Sequence, residues 1–426
     1  MVIRMRPEIK QYFALALVLV GLLVLCAGVD MLMRGAWRID ISSYLPTKGG
    51  EFERYANQVI ETCKKESYPP ACYDREIPKL MDKGLSMEDA FTVTSHIQQK
   101  TNGYFFCHVL GHNLSAKEAA KDPSKWTEVI ARCPTGMCSN GCLHGAAQER
   151  FRAESLTPAQ IESILPQLAN ICESGHGRSF TGLESASCYH ALGHLTMYIT
   201  NADIRASTNI CDRIAKKGER DYTQTCYEGA YMQIFQPLEP EDFGLVKDIA
   251  PTTAKAAVGF CNTFSGERRN ACHRESWPLS REALMQPAGL QAFCAMQQDP
   301  VAEGRCYNAM FYILVAQMNF DTTRVVGLCQ GLPTDREAQC FANAASRFVE
   351  TDYRLAPKAA GLCAIAEEKG VGDRCYGELL FYSSYNYHEG SKEFVSLCKD
   401  LPEPWQGKCL RGEGKTIRMN QGTATK

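Results

Sequence analysis

Long blocks of like charge are missing from this chain. No run of five like charges occurs, and the 46 basic and 48 acidic residues nearly cancel. Nucleic acid, which needs a basic stripe or patch, is thereby excluded as a partner. Strong β-branched runs and alternating apolar patterns are scarce, which argues against sheet architectures. Two familiar metal motifs are absent as well. Neither copy of His-x-Leu-Gly-His has a Glu after its first His to act as the general base of a zinc protease. CSNGCLH does not match the Cys-x-x-Cys-His of haem attachment. Histidine itself is scarce, with nine in 426 residues. The remaining composition, 45% hydrophobic and 22% charged, is that of a globular chain long enough for two domains or one elongated one.

The N-terminus carries a long apolar run. Arg4, Arg6 and Lys10 precede FALALVLVGLLVLCAGV, Phe13 to Val29, which continues through MLM after Asp30. At about 1.5 Å per residue such a run crosses a bilayer core. Basic residues before it and a large Cys-rich region behind it point to a signal anchor over 12–33. Residues 1–11 would then be cytoplasmic and 34–50 a linker. Cleavage after Ala27 or Gly28, or lipidation at Cys26, are the alternatives. All three export the rest of the chain. Apart from Cys26, the cysteines number 20 and spread over residues 63 to 409, as expected where disulfides persist. Bacterial periplasm or cell surface is favoured over a eukaryotic secretory lumen. The sequon Asn113-Leu114-Ser115 touches a His motif, which argues against a glycan there.

Cysteine spacing reveals a repeat. The second cysteine of each close pair, taken with Cys107, falls at 72, 107, 142, 188, 226, 272, 306, 340, 375 and 409. A period near 34 marks a helical-hairpin array. Units such as VVGLCQGLPTDREAQCFANAASRF and AAGLCAIAEEKGVGDRCYGELLFYSS share one layout. A short apolar segment ends at a first Cys, a polar turn follows, and a second Cys opens a longer segment. The expected pairs are Cys63 with Cys72, Cys172 with Cys188, Cys211 with Cys226, Cys261 with Cys272, Cys294 with Cys306, Cys329 with Cys340, Cys363 with Cys375, and Cys398 with Cys409. In units two and three, Cys133 with Cys142 leaves Cys107 for Cys138; the alternative joins Cys138 to Cys142 and Cys107 to Cys133. The fold class is therefore all-α: a transmembrane helix, then an α-solenoid of about ten disulfide-stapled hairpins. Its N-terminal half is expected over 51–240 and its more regular half over 241–413, with a disordered tail at 414–426.

By period and cysteine placement, as in Cys306-Tyr307 and Cys375-Tyr376, residues 50 to 415 resemble the disulfide-stapled helical-repeat proteins of the tetratricopeptide-like class. That resemblance implies an extended concave binding surface more readily than a reaction.

The repeat gives the histidines coordinates. His144, His190 and Glu228 each lie two residues after their unit's second cysteine, in three consecutive units. His108 and His112 follow Cys107, and His194 lies one turn beyond His190. Residues four apart share a helix face, so each His-x-x-x-His can offer two imidazoles to one ion. His108, His112, His144, His190, His194 and Glu228 are thus candidate ligands for zinc, copper or iron. Later units keep the cysteines without the histidines. Equally, Gly111 and Gly193 would let helices approach closely, with the histidines as polar core groups. Glu149, in HGAAQERF, is the candidate general base, and His176 a candidate loop ligand. His96, His273 and His388 are isolated. Tyr382, Tyr385 and Tyr387 are candidates to line a groove for a peptide or glycan. Two functions follow: a membrane-anchored metal-binding protein, with or without catalysis, or a non-enzymatic scaffold holding an envelope protein, peptide or glycan on its concave face.

Overall fold

The computed structural model describes residues 48–101, 104, 106–151, 155–175, 178–218, 220–237 and 240–414. The apolar segment 12–33, His176 and residues 415–426 of the tail lie outside these. No helix among the described residues is long and apolar enough to cross a membrane. Apart from a ribbon pairing Lys216–Lys217 with Arg220–Asp221 and one isolated bridge, the described elements are helical. Two compact units are distinguished, Met1–Gln58 and Val59–Lys426. The paired cysteines and the histidines belong to the second.

Each hairpin is built from local signals. In unit eight, Asp321 caps the first helix, Thr322–Gln330, by accepting the backbone N–H of Arg324. That helix carries Cys329 in its last turn, and a turn through Gly331 and Pro333 leads into the second helix, where Cys340 returns to it with Cα atoms 5.4 Å apart. Ser86, Thr157 and Thr181 close full capping boxes at other helix starts. The helices at the second cysteines are numbered by unit: α1 Pro69–Glu76, α2 His108–Ala119, α3 Gly141–Phe151, α4 Gly182–Ile199, α5 Thr223–Phe235, α6 Gly266–Glu275, α7 Pro300–Gln317, α8 Thr334–Thr351, α9 Gly372–Asn386 and α10 Trp405–Leu410.

The cysteines form ten disulfides. Nine close a single hairpin: Cys63–Cys72, Cys133–Cys142, Cys172–Cys188, Cys211–Cys226, Cys261–Cys272, Cys294–Cys306, Cys329–Cys340, Cys363–Cys375 and Cys398–Cys409. The tenth, Cys107–Cys138, joins units two and three across 31 residues. Twenty cysteines so paired belong to an oxidising compartment, extracellular or periplasmic.

Helices α1 to α10 pack as one row, each on the next. The row also returns on itself, which an elongated array contacting only its neighbours would not do. Helix α9 packs against α4, and α8 against the turn that precedes α3. Tyr385 lies against Gly182 and Tyr387 against Gly136, leaving no room for a Cβ at either glycine. Small rotations between successive units accumulate along such a row, and here they bring late units onto early ones. Tyr387 is buried and donates to the Val349 carbonyl at 2.6 Å. Tyr382 and Tyr385 stay partly exposed. An apolar core runs from Trp277 to Cys409 through Phe311, Leu314, Phe341, Phe348, Leu379 and Leu380.

Candidate metal centre

Glycine brings the His-bearing helices together. A Cβ at Gly141 or Gly145 on α3 would strike the carbonyls of His108 and His112 on α2, and one at Gly229 on α5 that of His190 on α4. Gly193 meets α5 just as closely. Backbones this near leave little space for large apolar side chains, so short-range polar contacts fill the interface. His112, His144 and His194 are buried, and His108 and His190 partly so.

The first group comprises His108, His112 and His144, each offering one ligand atom within 4.8 Å of the others. Hydrogen-bond partners show which nitrogens keep a lone pair. Nδ1 of His108 lies 3.2 Å from the Ser139 carbonyl, which can only accept, so Nδ1 carries the proton and Nε2 the lone pair. Nε2 of His144 donates to the Ser187 carbonyl at 3.1 Å, leaving Nδ1 as a lone pair that is buried with no hydrogen-bond partner. His112 donates Nδ1–H to Oε1 of Gln148 at 3.0 Å. Its Nε2 then faces that of His108 at 3.1 Å. Two nitrogens so spaced subtend about 100° at an ion about 2.05 Å from each, close to the tetrahedral angle of a zinc-type site.

The support behind His108 is unusual backbone. Cys138, Ser139 and Asn140 all have positive φ, at 51°, 47° and 58°, a region costly for residues with a Cβ. This left-handed turn aims the Ser139 carbonyl at His108, and the Cys107–Cys138 bridge clamps it to the start of α2.

A second pair repeats the arrangement. His194 donates Nδ1–H to Oε1 of Gln233 at 2.7 Å, and its Nε2 lies 3.2 Å from Nε2 of His190. His144 sits between the two pairs, with ring centroids 4.9 Å from His108 and His112, 5.4 Å from His190 and 5.9 Å from His194. Burial pushes all five imidazoles below the ordinary histidine value, His108 to about 4. They are therefore neutral at physiological pH, the form that binds metal.

Other candidate residues fall elsewhere. Glu228 is not brought to the imidazoles; its carboxylate accepts from Nε of Arg274 at 3.0 Å and from Gln224. Arg274 is buried two residues after Cys272, the same repeat position one unit on, so Glu228 and Arg274 meet as adjacent rungs of one ladder. Glu149 lies about 140° around α3 from His144 and supplies no ligand atom to the group. Gln148, Gln233, Ser139 and Ser187, all missed by sequence reasoning, orient the rings. The glutamines lie one turn or so past the histidine and glutamate of units three and five, a signal visible only once those helices are paired.

Arg347 is a further neighbour contributed by the returning row. It is buried on α8, pairs with Glu350 at 2.8 Å, lies over the Tyr312 ring at 3.5 Å and depresses His108 further by its charge. Burial lowers Arg347 to about 9 and raises Glu350 well above the carboxylate range. No protein-family model, curated protein or solved structure matches the chain.

Proposed function

We propose that the protein is an exported, membrane-anchored helical-repeat protein that binds a transition-metal ion, zinc, copper or iron, through His108, His112 and His144. One observation carries this reading: the Nδ1 lone pair of His144 is buried without a partner while the Nε2 atoms of His108 and His112 face each other at 3.1 Å. An unpartnered buried acceptor is costly in a folded protein, and a bound cation removes that cost. Three neutral imidazoles also leave a fourth position for water or substrate, as in catalytic zinc sites.

A second reading, a scaffold holding an envelope protein, peptide or glycan, draws support from the bonds of His108 to Ser139 and of His144 to Ser187, which knit α2, α3 and α4 together. Elemental analysis of protein purified without a His tag separates the two. Stoichiometric metal, one equivalent of which is lost in the double variant His108→Ala/His112→Ala, supports the metal site. Metal-free protein leaves the scaffold, and a loss of stability in that variant then assigns these histidines to holding the helices together.

A further inference from the structure

The partner of His190 on α5 is a thioether. Nε2 of His190 lies 3.3 Å from Sδ of Met232 and 3.2 Å from Nε2 of His194. His190 also bonds the backbone of Thr225, and His194 gives its Nδ1 proton to Gln233. A thioether has no proton to donate. Lone pairs on two nitrogens and a sulfur therefore crowd together, and a cation among them turns repulsion into coordination.

We propose that His190, His194 and Met232 form a second metal site, selective for copper(I), with the His144 ring between it and the first. Zinc and iron sites take imidazole, carboxylate and thiolate, whereas a thioether is a soft, neutral donor that favours copper(I). Charge argues the same way. All three ligands are neutral, and because the cost of burying an ion grows with the square of its charge, a monovalent ion costs about a quarter of what a divalent one does. The carboxylate of Asp242, buried and bonded to the Tyr198 hydroxyl, acts on His194 from nearby and supplies one compensating charge. Met232 remains partly exposed, which gives the ion a way in.

This site extends the metal reading of His108, His112 and His144, yet each can fail without the other. The test is anaerobic titration of the full-length chain with copper(I) against a competing chromophoric chelator, joined to X-ray absorption of the loaded protein. The wild type should take two equivalents, one with a sulfur neighbour. Met232→Leu, nearly isosteric, should weaken one equivalent at least about tenfold and remove the sulfur signal. His108→Ala/His112→Ala should keep the sulfur-bound copper. A wild-type stoichiometry of one with sulfur present retains the second site and excludes copper(I) from the first, which then stands or falls on zinc or iron in the elemental analysis. Copper-loaded wild type without a sulfur neighbour, or Met232→Leu binding both equivalents as tightly as wild type, overturns the proposal.

Discussion

The pairs α2–α3 and α4–α5 bury apolar side chains as α7–α8 and α8–α9 do, among them Leu110, Leu114, Leu143 and Leu192, yet only the early pairs also bury a polar cluster. Late in the row the helices meet through Phe311, Leu314, Phe341, Phe348 and Leu379, all essentially inaccessible. Each such side chain contributes roughly 1.5 to 3 kcal/mol on burial. Early in the row they meet through glycine, with histidine and glutamine between. The disulfide adds to apolar burial in both regions: closing a short loop stabilises by about 3 kcal/mol in the chain-entropy model. A repeat held by covalent staples can give over one stretch of its interface to polar groups without coming apart.

The strongest challenge to that contrast is removal of the staples. Replacing Cys107 and Cys138 by Ser should cost about 4 kcal/mol, and replacing Cys329 and Cys340 about 3 kcal/mol, by loop length. Denaturant unfolding measures both, and only the first pair should also abolish metal binding, because it clamps the turn behind His108. Equal loss of metal in both variants would erase the regional difference. Next come the glycines. Gly145→Ala should destabilise by about 2 kcal/mol, since its Cβ meets the His112 carbonyl. Gly361→Ala, exposed in the Ala356–Glu368 helix with nothing near its Cβ position, should stabilise by up to about 1 kcal/mol. Thermal melts of the two variants should shift in opposite directions.

Gln148→Leu removes the acceptor that orients His112 and should lower metal affinity about 10- to 100-fold, read by competition titration, with little change in the melting temperature. The smallest effect is one of pH. Because His108 is held at about 4 against 6.5 when unfolded, the unfolded chain takes up the proton first, so metal-free protein loses stability as pH falls from about 6.5 toward 4. His108 alone should account for on the order of 1 kcal/mol at pH 5.5. Glu350, raised by burial on α8, has the opposite sign: its contribution is present in acid and lost as pH rises. Hydrogen exchange corrected for intrinsic rates should therefore show α2 and α4 loosening in mild acid while α8 does not.

Much of this was legible beforehand. The beat of cysteines from 72 to 409 locates the hairpins, because nine of the ten staples sit at the same point of their own unit. The spacing of His108 with His112, and of His190 with His194, fixes a shared helix face. Glu228 read as a ligand because it shares a repeat position with His144 and His190; the same register, carried one unit further, places Arg274 beside it, and an opposite charge outcompetes an imidazole cluster. Met232 reads as an ordinary core residue until the α4–α5 contact is known. Arg347 could not be foreseen near His108, since some 240 residues separate them and their meeting depends on small rotations summed over six units.

The linkage order of the cysteines has a consequence for biogenesis. Eight disulfides join consecutive cysteines, at most 16 residues apart, so each can close as soon as its own hairpin leaves the translocation pore. Cys107 is different. The first free thiol to follow it is Cys133, whose proper partner Cys142 emerges nine residues later, and Cys138 comes between them. An oxidase acting strictly in order of emergence would join Cys107 to Cys133 and leave Cys138 for Cys142. Maturation of this one segment thus calls for a disulfide isomerase, and a host lacking it should accumulate protein with its late repeats correctly oxidised and its histidine region miswired.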